Sequence, residues 1–161
     1  MAEALRVNCT LRSLTLQFNN IGERGARAVA RSLESNATLT ALCLYGNRVR
    51  DAGATALAEA LRVNCTLRTL TLQFNNIGER GARAVARALE SNATLTALCL
   101  YGNRIRDGGA TALAEALRVN ASLGEMDVGE NGIGDAGAVV LGCVLCGRQK
   151  PFALHGIDLC R

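Results

Sequence analysis

Near-verbatim internal repetition is the feature that most constrains how this chain folds. Residues 2–60 recur as residues 58–116, and the copies differ only where Ser13, Ser32, Val49 and Ala52 become Thr69, Ala88, Ile105 and Gly108. Each copy contains a looser unit of 28 residues, marked by Leu11, Leu39, Leu67, Leu95 and Leu123. A fixed period of this length predicts a stacked array in which each unit buries its apolar side against its neighbours.

The first half of each unit predicts a short strand. Leu14 and Leu16 lie two residues apart, as on one face of a strand, within the pattern L-x-x-L-x-L-x-x-N that runs from Leu11 to Asn19. The other copies are Leu39-Leu42-Leu44-Asn47, Leu67-Leu70-Leu72-Asn75, Leu95-Leu98-Leu100-Asn103 and Leu123-Met126-Val128-Asn131. Strands of one orientation predict a parallel sheet, and the recurring asparagine predicts a ladder that satisfies backbone groups of adjacent units.

The second half predicts an amphipathic helix, because apolar residues recur at spacings of three and four between Ile21 and Leu33. We expect Asp51, Asp107 and Asp135 to cap the N-termini of their own helices. The asparagines that follow the helices match the N-glycosylation motif, but we expect them to close each helix in the left-handed conformation. They are Asn8, Asn36, Asn64, Asn92 and Asn120. Strands ~4.8 Å apart and helices ~8–10 Å apart predict a curved stack with the strands on the concave side.

Both halves of the unit, as in residues 36–64, resemble leucine-rich repeats of the ribonuclease-inhibitor subtype. The sequence pattern of the units is most similar to the repeats of NOD-like receptors, and related repeats form the ribonuclease inhibitor and the Ran GTPase-activating protein. The resemblance implies an α/β leucine-rich-repeat solenoid, a curved horseshoe segment with parallel strands on the concave face and helices on the convex face. We expect five 28-residue repeats plus a partial sixth in a single domain over residues 1–161. We expect residues 1–10 to be a truncated first repeat, residues 11–147 the five repeats, and residues 148–161 an irregular tail or partial cap.

Composition and charge argue against several classes of protein. A net charge of +4 is too small and too evenly spread to indicate a nucleic-acid partner. We expect no signal peptide, because the first residues lack a continuous apolar segment behind a basic leader. We expect no membrane partner, because no apolar run approaches the ~18 residues of a spanning helix. Cys9, Cys43, Cys65 and Cys99 recur with the repeat, which predicts buried or half-buried thiols in a reducing, cytoplasmic environment rather than a disulfide framework.

The concave face is the predicted partner-binding surface, since solenoids generally bind through it. Tyr45 and Tyr101 are the predicted anchors. Phe18 and Phe74 either share this face or turn inward beside the asparagine ladder. The surface becomes acidic at its C-terminal end, which suits a ligand with a basic end. The predicted binding residues are Arg12, Thr15, Gln17, Thr40, Cys43, Tyr45, Arg68, Thr71, Gln73, Thr96, Cys99, Tyr101, Glu125, Asp127 and Glu130.

Catalysis is not expected. His155 is the single histidine, and no phosphate-binding G-x-x-x-x-G-K-[ST] motif occurs, so we predict no catalytic residues and no cofactor. Ran GTPase activators use an arginine, and Arg48, Arg50, Arg104 and Arg106 fall in loops between strand and helix. Cys143, Cys146, His155 and Cys160 have the side chains of a zinc site, but a C-x-x-C within a helix favours buried thiols and no metal.

Both ends of the array depart from the repeat. Val139, Cys143 and Cys146 replace polar residues of the preceding unit, so the last helix is apolar all round and predicts an association surface. Leu154, Ile157 and Leu159 resemble part of a sixth strand. The ends lack polar caps, which predicts a homo-oligomer formed through the ends or the last helix.

The sequence thus predicts a non-enzymatic protein-protein interaction module that binds a protein partner through the concave sheet, as in NOD-like receptor repeats. Two alternatives stay open. One is a designed or recently expanded repeat scaffold without a natural ligand, and the other is a Ran-type GTPase-activating repeat protein.

Overall fold

The computed structural model describes residues 2–147 and 152–156, in which helices and strands alternate. We number the repeats from 1 to 5, beginning at Leu11, Leu39, Leu67, Leu95 and Leu123. The elements are α1 (Ala2–Val7), β1 (Ser13–Thr15), α2 (Glu23–Ser35), β2 (Ala41–Cys43), α3 (Arg50–Val63), β3 (Thr69–Thr71), α4 (Glu79–Ser91), β4 (Ala97–Cys99), α5 (Arg106–Val119), β5 (Glu125–Asp127), α6 (Asp135–Cys146) and β6 (Ala153–His155).

The strands form one parallel sheet in chain order, β1 to β6, and each helix packs against the next. The register follows the period, because Leu14 pairs with Leu42 and Leu42 with Leu70. Leu154 pairs with Met126, so a sixth strand continues the sheet. The predicted α/β solenoid, with strands in one layer and helices in the other, is confirmed.

The repeated leucines form one continuous core between the two layers. Leu42, Leu44 and Leu70 are fully buried, whereas Leu14 and Leu16 of repeat 1 are only half-buried. An inner repeat has a neighbour on each side, while in the described part of the chain repeat 1 is preceded by the short helix α1 alone. Within the described ranges, none of the helices combines the length and the apolar character that crossing a bilayer requires.

The asparagine ladder is confirmed from Asn47 onward, whereas Asn19 is exposed and its Nδ2 donates to the Gln17 carbonyl of its own repeat. Asn47 Nδ2 donates to the carbonyls of Leu16 and Leu44, both at 2.9 Å. Asn47 Oδ1 accepts from the N–H of Ile21 at 2.8 Å. The equivalent residues Asn75, Asn103 and Asn131 are buried in the same way. Each amide therefore joins two consecutive repeats through backbone groups that a leucine at this position would leave unpaired.

A second asparagine ladder lies at the other end of the strands. Asn64 at the C-cap of α3 is buried with φ −74° and ψ 125°, so the expected left-handed closure is wrong. Its Nδ2 donates to the Leu33 carbonyl at 2.8 Å, and its Oδ1 accepts from the Leu67 N–H at 2.8 Å. Extended backbone is needed here because the side chain must reach the previous helix while the main chain enters the next strand.

The aspartates predicted as N-caps act on a different helix. Helix α3 begins at Arg50 with Val49 as its N-cap, and its first turn contains Asp51. Asp51 Oδ1 instead accepts from the N–H groups of Gly78 and Gly81, at 2.7 and 3.0 Å, which begin α4 of the next repeat.

Asp107 repeats this bridge, accepting from Gly134 and Gly137 at 2.7 and 3.2 Å. Asp135 does not cap its own helix either, since Gly134 is the N-cap of α6. At the same position in odd repeats, Glu79 pairs with Arg83, and the described residues show no bond from Glu23 to the next helix. The array therefore has two kinds of junction, with an aspartate bridge from even to odd repeats only.

Candidate functional site

The outward side chains of the strands form the concave face, meaning the face of the sheet turned away from the helices. Strand register aligns the predicted binding residues that lie within the strands on this surface, namely Thr15, Cys43, Thr71, Cys99, Glu125 and Asp127, and the other predicted residues flank the strands. Those that are exposed are Arg12, Thr15, Gln17, Arg68, Thr96, Glu125 and Glu130. Those that are half-buried are Thr40, Cys43, Tyr45, Thr71, Gln73, Cys99, Tyr101 and Asp127. Their role in binding stays a prediction.

Side chains at the start of the strands are tied to the backbone of neighbouring repeats. The Thr40 hydroxyl donates to the carbonyl of Arg12 at 2.9 Å, and Thr96 repeats the bond to Arg68 at 3.1 Å. The guanidinium of Arg68 donates to the Thr94 carbonyl at 3.0 Å. These contacts give this end of the concave face a fixed arrangement.

The middle row of the concave face carries thiols and hydroxyls. Burial raises the pKa of Cys99 from 9.0 to about 11; a backbone hydrogen bond at Tyr101 lowers it, and the Asp127 carboxylate raises it again. Because this pKa lies in the alkaline range, Cys99 is a protonated thiol at neutral pH. In the central repeat, Thr71 Oγ1 and Gln73 Oε1 are buried without a hydrogen-bond partner among the described residues.

Beside this row, four aromatic side chains form a continuous line, the aromatic ridge, made of Phe18, Tyr45, Phe74 and Tyr101. The ring centroids of successive members are 4.6, 5.6 and 5.4 Å apart. Phe18 is 67% exposed and Phe74 47% exposed, so neither turns inward beside the asparagine ladder. Of the two orientations that the sequence left open for the phenylalanines, the structure shows the outward one.

Alternation of phenylalanine and glycine explains this orientation. Phe18 and Phe74 have left-handed backbone, with φ of 56° and 52°, and Gly46 and Gly102 occupy the same position in even repeats. A Cβ atom at Gly46 would lie 2.5 Å from the Phe18 ring. Glycine at every second repeat therefore leaves the space in which the preceding phenylalanine ring lies.

The ridge is bordered by charged loops. Arg48 and Arg104 are exposed in the strand-to-helix loops of repeats 2 and 4, and Arg50 and Arg106 are exposed as the first residues of α3 and α5. In repeat 5 the equivalent loop carries the exposed Glu130 instead. The Tyr101 ring packs close to Gly129 of this loop, since a Cβ atom at Gly129 would lie only 2.8 Å from the ring. The surface is thus aromatic and basic along repeats 1–4 and acidic at repeat 5.

The cysteines differ from expectation. Cys43 and Cys99 are half-buried as predicted, but Cys9 and Cys65 are exposed because they lie in the turns that follow helices. Cys143 and Cys146 are exposed as well, so the expectation of buried thiols in the last helix is wrong. All six are free thiols.

The apolar side of α6 is uncovered in the described part of the chain, where Val139 is 62% exposed. His155 is exposed on β6. Among the described residues, no group of three or more potential ligands is arranged to hold a metal ion. Cys160, Ile157 and Leu159 lie outside the described residues, so the zinc alternative is untested at its fourth position.

The repeat pattern itself matches a family model described as "Leucine Rich repeat", at residues 7–30, 35–58, 63–86, 91–114 and 119–142, which together make up most of the chain. The chain belongs to the leucine-rich-repeat family. No curated protein matches it. Assignment to the ribonuclease-inhibitor subtype and the likeness to NOD-like receptors stay predictions.

Solved structures of other leucine-rich-repeat proteins share this fold. The actin-binding site 2 domain of leiomodin-1 is 23% identical, covers 90% of this chain and 85% of its own length, and superposes with a TM-score of 0.77. The C-terminal domain of tropomodulin from Caenorhabditis elegans is 13% identical, covers 98% of this chain and 81% of its own, and has a TM-score of 0.64. At these identities the similarity concerns the fold alone.

Proposed function

We propose that this leucine-rich-repeat chain is a non-enzymatic interaction module that binds a protein partner through the concave face and the aromatic ridge beside it. The observation that carries the proposal is the ridge, in which two phenylalanines are exposed and two tyrosines half-buried, because contiguous large apolar side chains at a surface typically mark an interaction site. Tyrosine is also among the residues most enriched at the energetic centres of interfaces. Tyr45 and Tyr101 each add a hydroxyl that can form a hydrogen bond where an interface is partly apolar and partly solvated.

Two further observations support binding rather than chemistry. Cys99, a nucleophile on the concave face, has a pKa raised to about 11, so the reactive thiolate is rare at neutral pH. One structurally similar domain, from leiomodin-1, is itself described as an actin-binding site. The resemblance of the repeats to those of NOD-like receptors implies the same use of the surface.

Affinity capture with matched variants tests the proposal. We expect the chain to retain a specific protein from a lysate, and the double variant Tyr45→Ala, Tyr101→Ala to lose it. The double variant Arg24→Ala, Arg80→Ala changes exposed residues of α2 and α4 and serves as the control. If a protein is still captured by the tyrosine variant but not by the control variant, the partner binds the helices and the proposal is contradicted.

A second role, self-association, is supported by the exposed apolar side of α6. We propose that Val139, with Cys143 and Cys146 beside it, packs against a second copy of the chain. Sedimentation should then show a mass that rises with concentration, and Val139→Glu should abolish that rise. A strict monomer at high concentration would contradict the proposal.

A further inference from the structure

The loops that border the aromatic ridge have an unusual distribution of charge. Residues 17–22, 45–50, 73–78 and 101–106 contain four arginines and no acidic residue. The arginines form two pairs, Arg48 with Arg50 and Arg104 with Arg106, which we call the arginine pairs. None of the four forms a salt bridge within the described ranges, where the ion pairs involve Arg6, Arg83 and Arg118. Their charge is available to a partner.

Backbone hydrogen bonds hold each pair in place. The N–H of Arg48 donates to the Ile21 carbonyl at 2.9 Å, and the N–H of Arg50 donates to the Asn75 carbonyl at 3.0 Å. Arg104 and Arg106 repeat these bonds two repeats later, at 2.8 and 3.1 Å. Two basic sites are therefore fixed where a loop meets the first residue of a helix, two repeats apart, along the same edge as the rings.

The spacing of the ridge matches a helix better than an extended chain. Successive rings are separated by 4.6–5.6 Å, and side chains three or four residues apart on a helix are ~5–6 Å apart. Side chains on one face of a strand recur at about 6.6 Å, because each residue rises ~3.3 Å. An extended segment would therefore fall out of step with the rings after two or three contacts.

We propose that the aromatic ridge and the arginine pairs bind an acidic amphipathic helix of a protein partner. Its apolar residues, at i, i+4 and i+7, pack on the rings, and acidic residues seven apart, separated by ~10.5 Å along the helix, reach the two arginine pairs. Glu130 at the end of the ridge favours a basic residue at that end of the helix. The inference rests on the proposed function and names its partner.

Fluorescence anisotropy with three labelled peptides and the full chain tests this proposal. The first peptide is a helix of about 18 residues with leucines and glutamates at the stated spacing. The second replaces the glutamates by lysines, and the third carries a central proline that breaks the helix. We expect saturable, salt-sensitive binding of the first and at least about tenfold weaker binding of the other two. Equal binding of the lysine peptide overturns the acidic partner, and equal binding of the proline peptide overturns the helix.

Variants of the chain locate the binding. Arg48→Glu with Arg104→Glu should weaken the first peptide about tenfold or more, as should Phe18→Ala with Phe74→Ala. Arg24→Glu with Arg80→Glu makes the same change of charge on the helical side and should leave the affinity unchanged. The arginine variants change exposed side chains only, so they keep the test valid if the phenylalanine variant fails to fold.

The outcome separates this inference from the proposed function. If affinity capture depends on Tyr45 and Tyr101 but no helical peptide binds, the interaction module stands and the acidic helix is overturned. If neither capture nor peptide binding occurs, both fail. Equal losses with the arginine variant and its helical-side control would show a non-specific charge effect and also overturn the inference.

Discussion

Single glycines set the shape of the aromatic ridge. Gly102 has a φ of 68°, and a Cβ atom there would lie 2.5 Å from the ring of Phe74, which packs at an angle between two tyrosine rings. Gly132 has a similar φ of 64° with nothing within 4 Å of that position. An alanine at either position would therefore have the same left-handed backbone strain, but only at Gly102 would its Cβ atom also clash with an aromatic ring.

We predict that Gly132→Ala costs about 1–2 kcal/mol, from the left-handed backbone alone. Gly102→Ala should cost more, because Phe74 must also leave its place between the tyrosines. Urea unfolding measures both free energies, and near-ultraviolet circular dichroism reports the tyrosine surroundings. Equal destabilisation with unchanged spectra would show that the phenylalanine ring does not depend on the glycine.

The Cys99 thiol makes stability depend on alkaline pH. Its pKa is raised from 9.0 to about 11 in the folded state, chiefly by burial. The folded chain therefore holds the proton more tightly than the unfolded chain, and this contribution is complete below pH 9.0 and disappears as pH rises to about 11. We predict that the free energy of unfolding falls more steeply over this interval in the wild type than in Cys99→Ser. Parallel pH profiles would contradict the prediction.

Residue-scale features were the hardest to predict from sequence. The outward turn of Phe18 depends on a left-handed φ and on space left by Gly46, which lies 28 residues further along the chain. The backbone propensities of phenylalanine and glycine, taken one residue at a time, do not predict this contact between two repeats. The signal was nevertheless present, as the alternation of phenylalanine with glycine at one position of successive repeats.

At the scale of helices, the aspartate bridge divides the array into unequal junctions. Asp51 satisfies two N–H groups at the start of α4, whereas Glu23 has the same place in repeat 1 and makes no such bond among the described residues. We predict that Asp51→Ala costs ~1 kcal/mol, as for loss of an N-cap, and that Glu23→Ala stays within about 0.5 kcal/mol. Chemical denaturation of both variants is the measurement. Equal effects would argue that the bridge adds nothing beyond the ordinary charge of a helix N-terminus.

The strands and helices themselves were predictable, because each depends on local spacing. Leu42 and Leu44 define a strand face, and the apolar residues of each helix recur at helical intervals. The partner of Asp51 was not predictable in this way. N-capping rules consider the helix that contains the residue, and the bond crosses to the next repeat. The extended backbone of Asn64 was missed for the same reason, since its side chain satisfies groups in two repeats.

At the scale of the whole molecule, alternate junctions mean that the unit of construction is two repeats. Deleting residues 39–94 joins repeat 1 to repeat 4 and preserves every kind of junction. Deleting residues 39–66 joins repeat 1 to repeat 3, so that Phe18 meets Phe74 where it had met Gly46. The new junction also has Glu23 in place of the bridging Asp51.

We predict that the shorter deletion damages cooperativity more than the longer one. The chain lacking residues 39–66 should unfold in two steps or a broad one, because coupling between neighbouring repeats is broken at the mismatched junction. The chain lacking residues 39–94 should unfold in one step. Phe74→Gly in the former should sharpen its transition. Single transitions in both, with midpoints that simply follow repeat number, would exclude this alternation of junctions.

Because residues 2–60 and 58–116 are nearly identical, β1 has two possible partners during folding, the native β2 and the non-native β4. Strands β2 and β4 have the same three residues, so β1 would bury the same side chains beside Ala97, Leu98 and Cys99 as it does beside Ala41, Leu42 and Cys43. Closing the threefold longer loop costs only about 1 kcal/mol more. Mispaired intermediates, and exchange of whole blocks between two copies of the chain, are therefore only weakly disfavoured until the rest of the stack has formed.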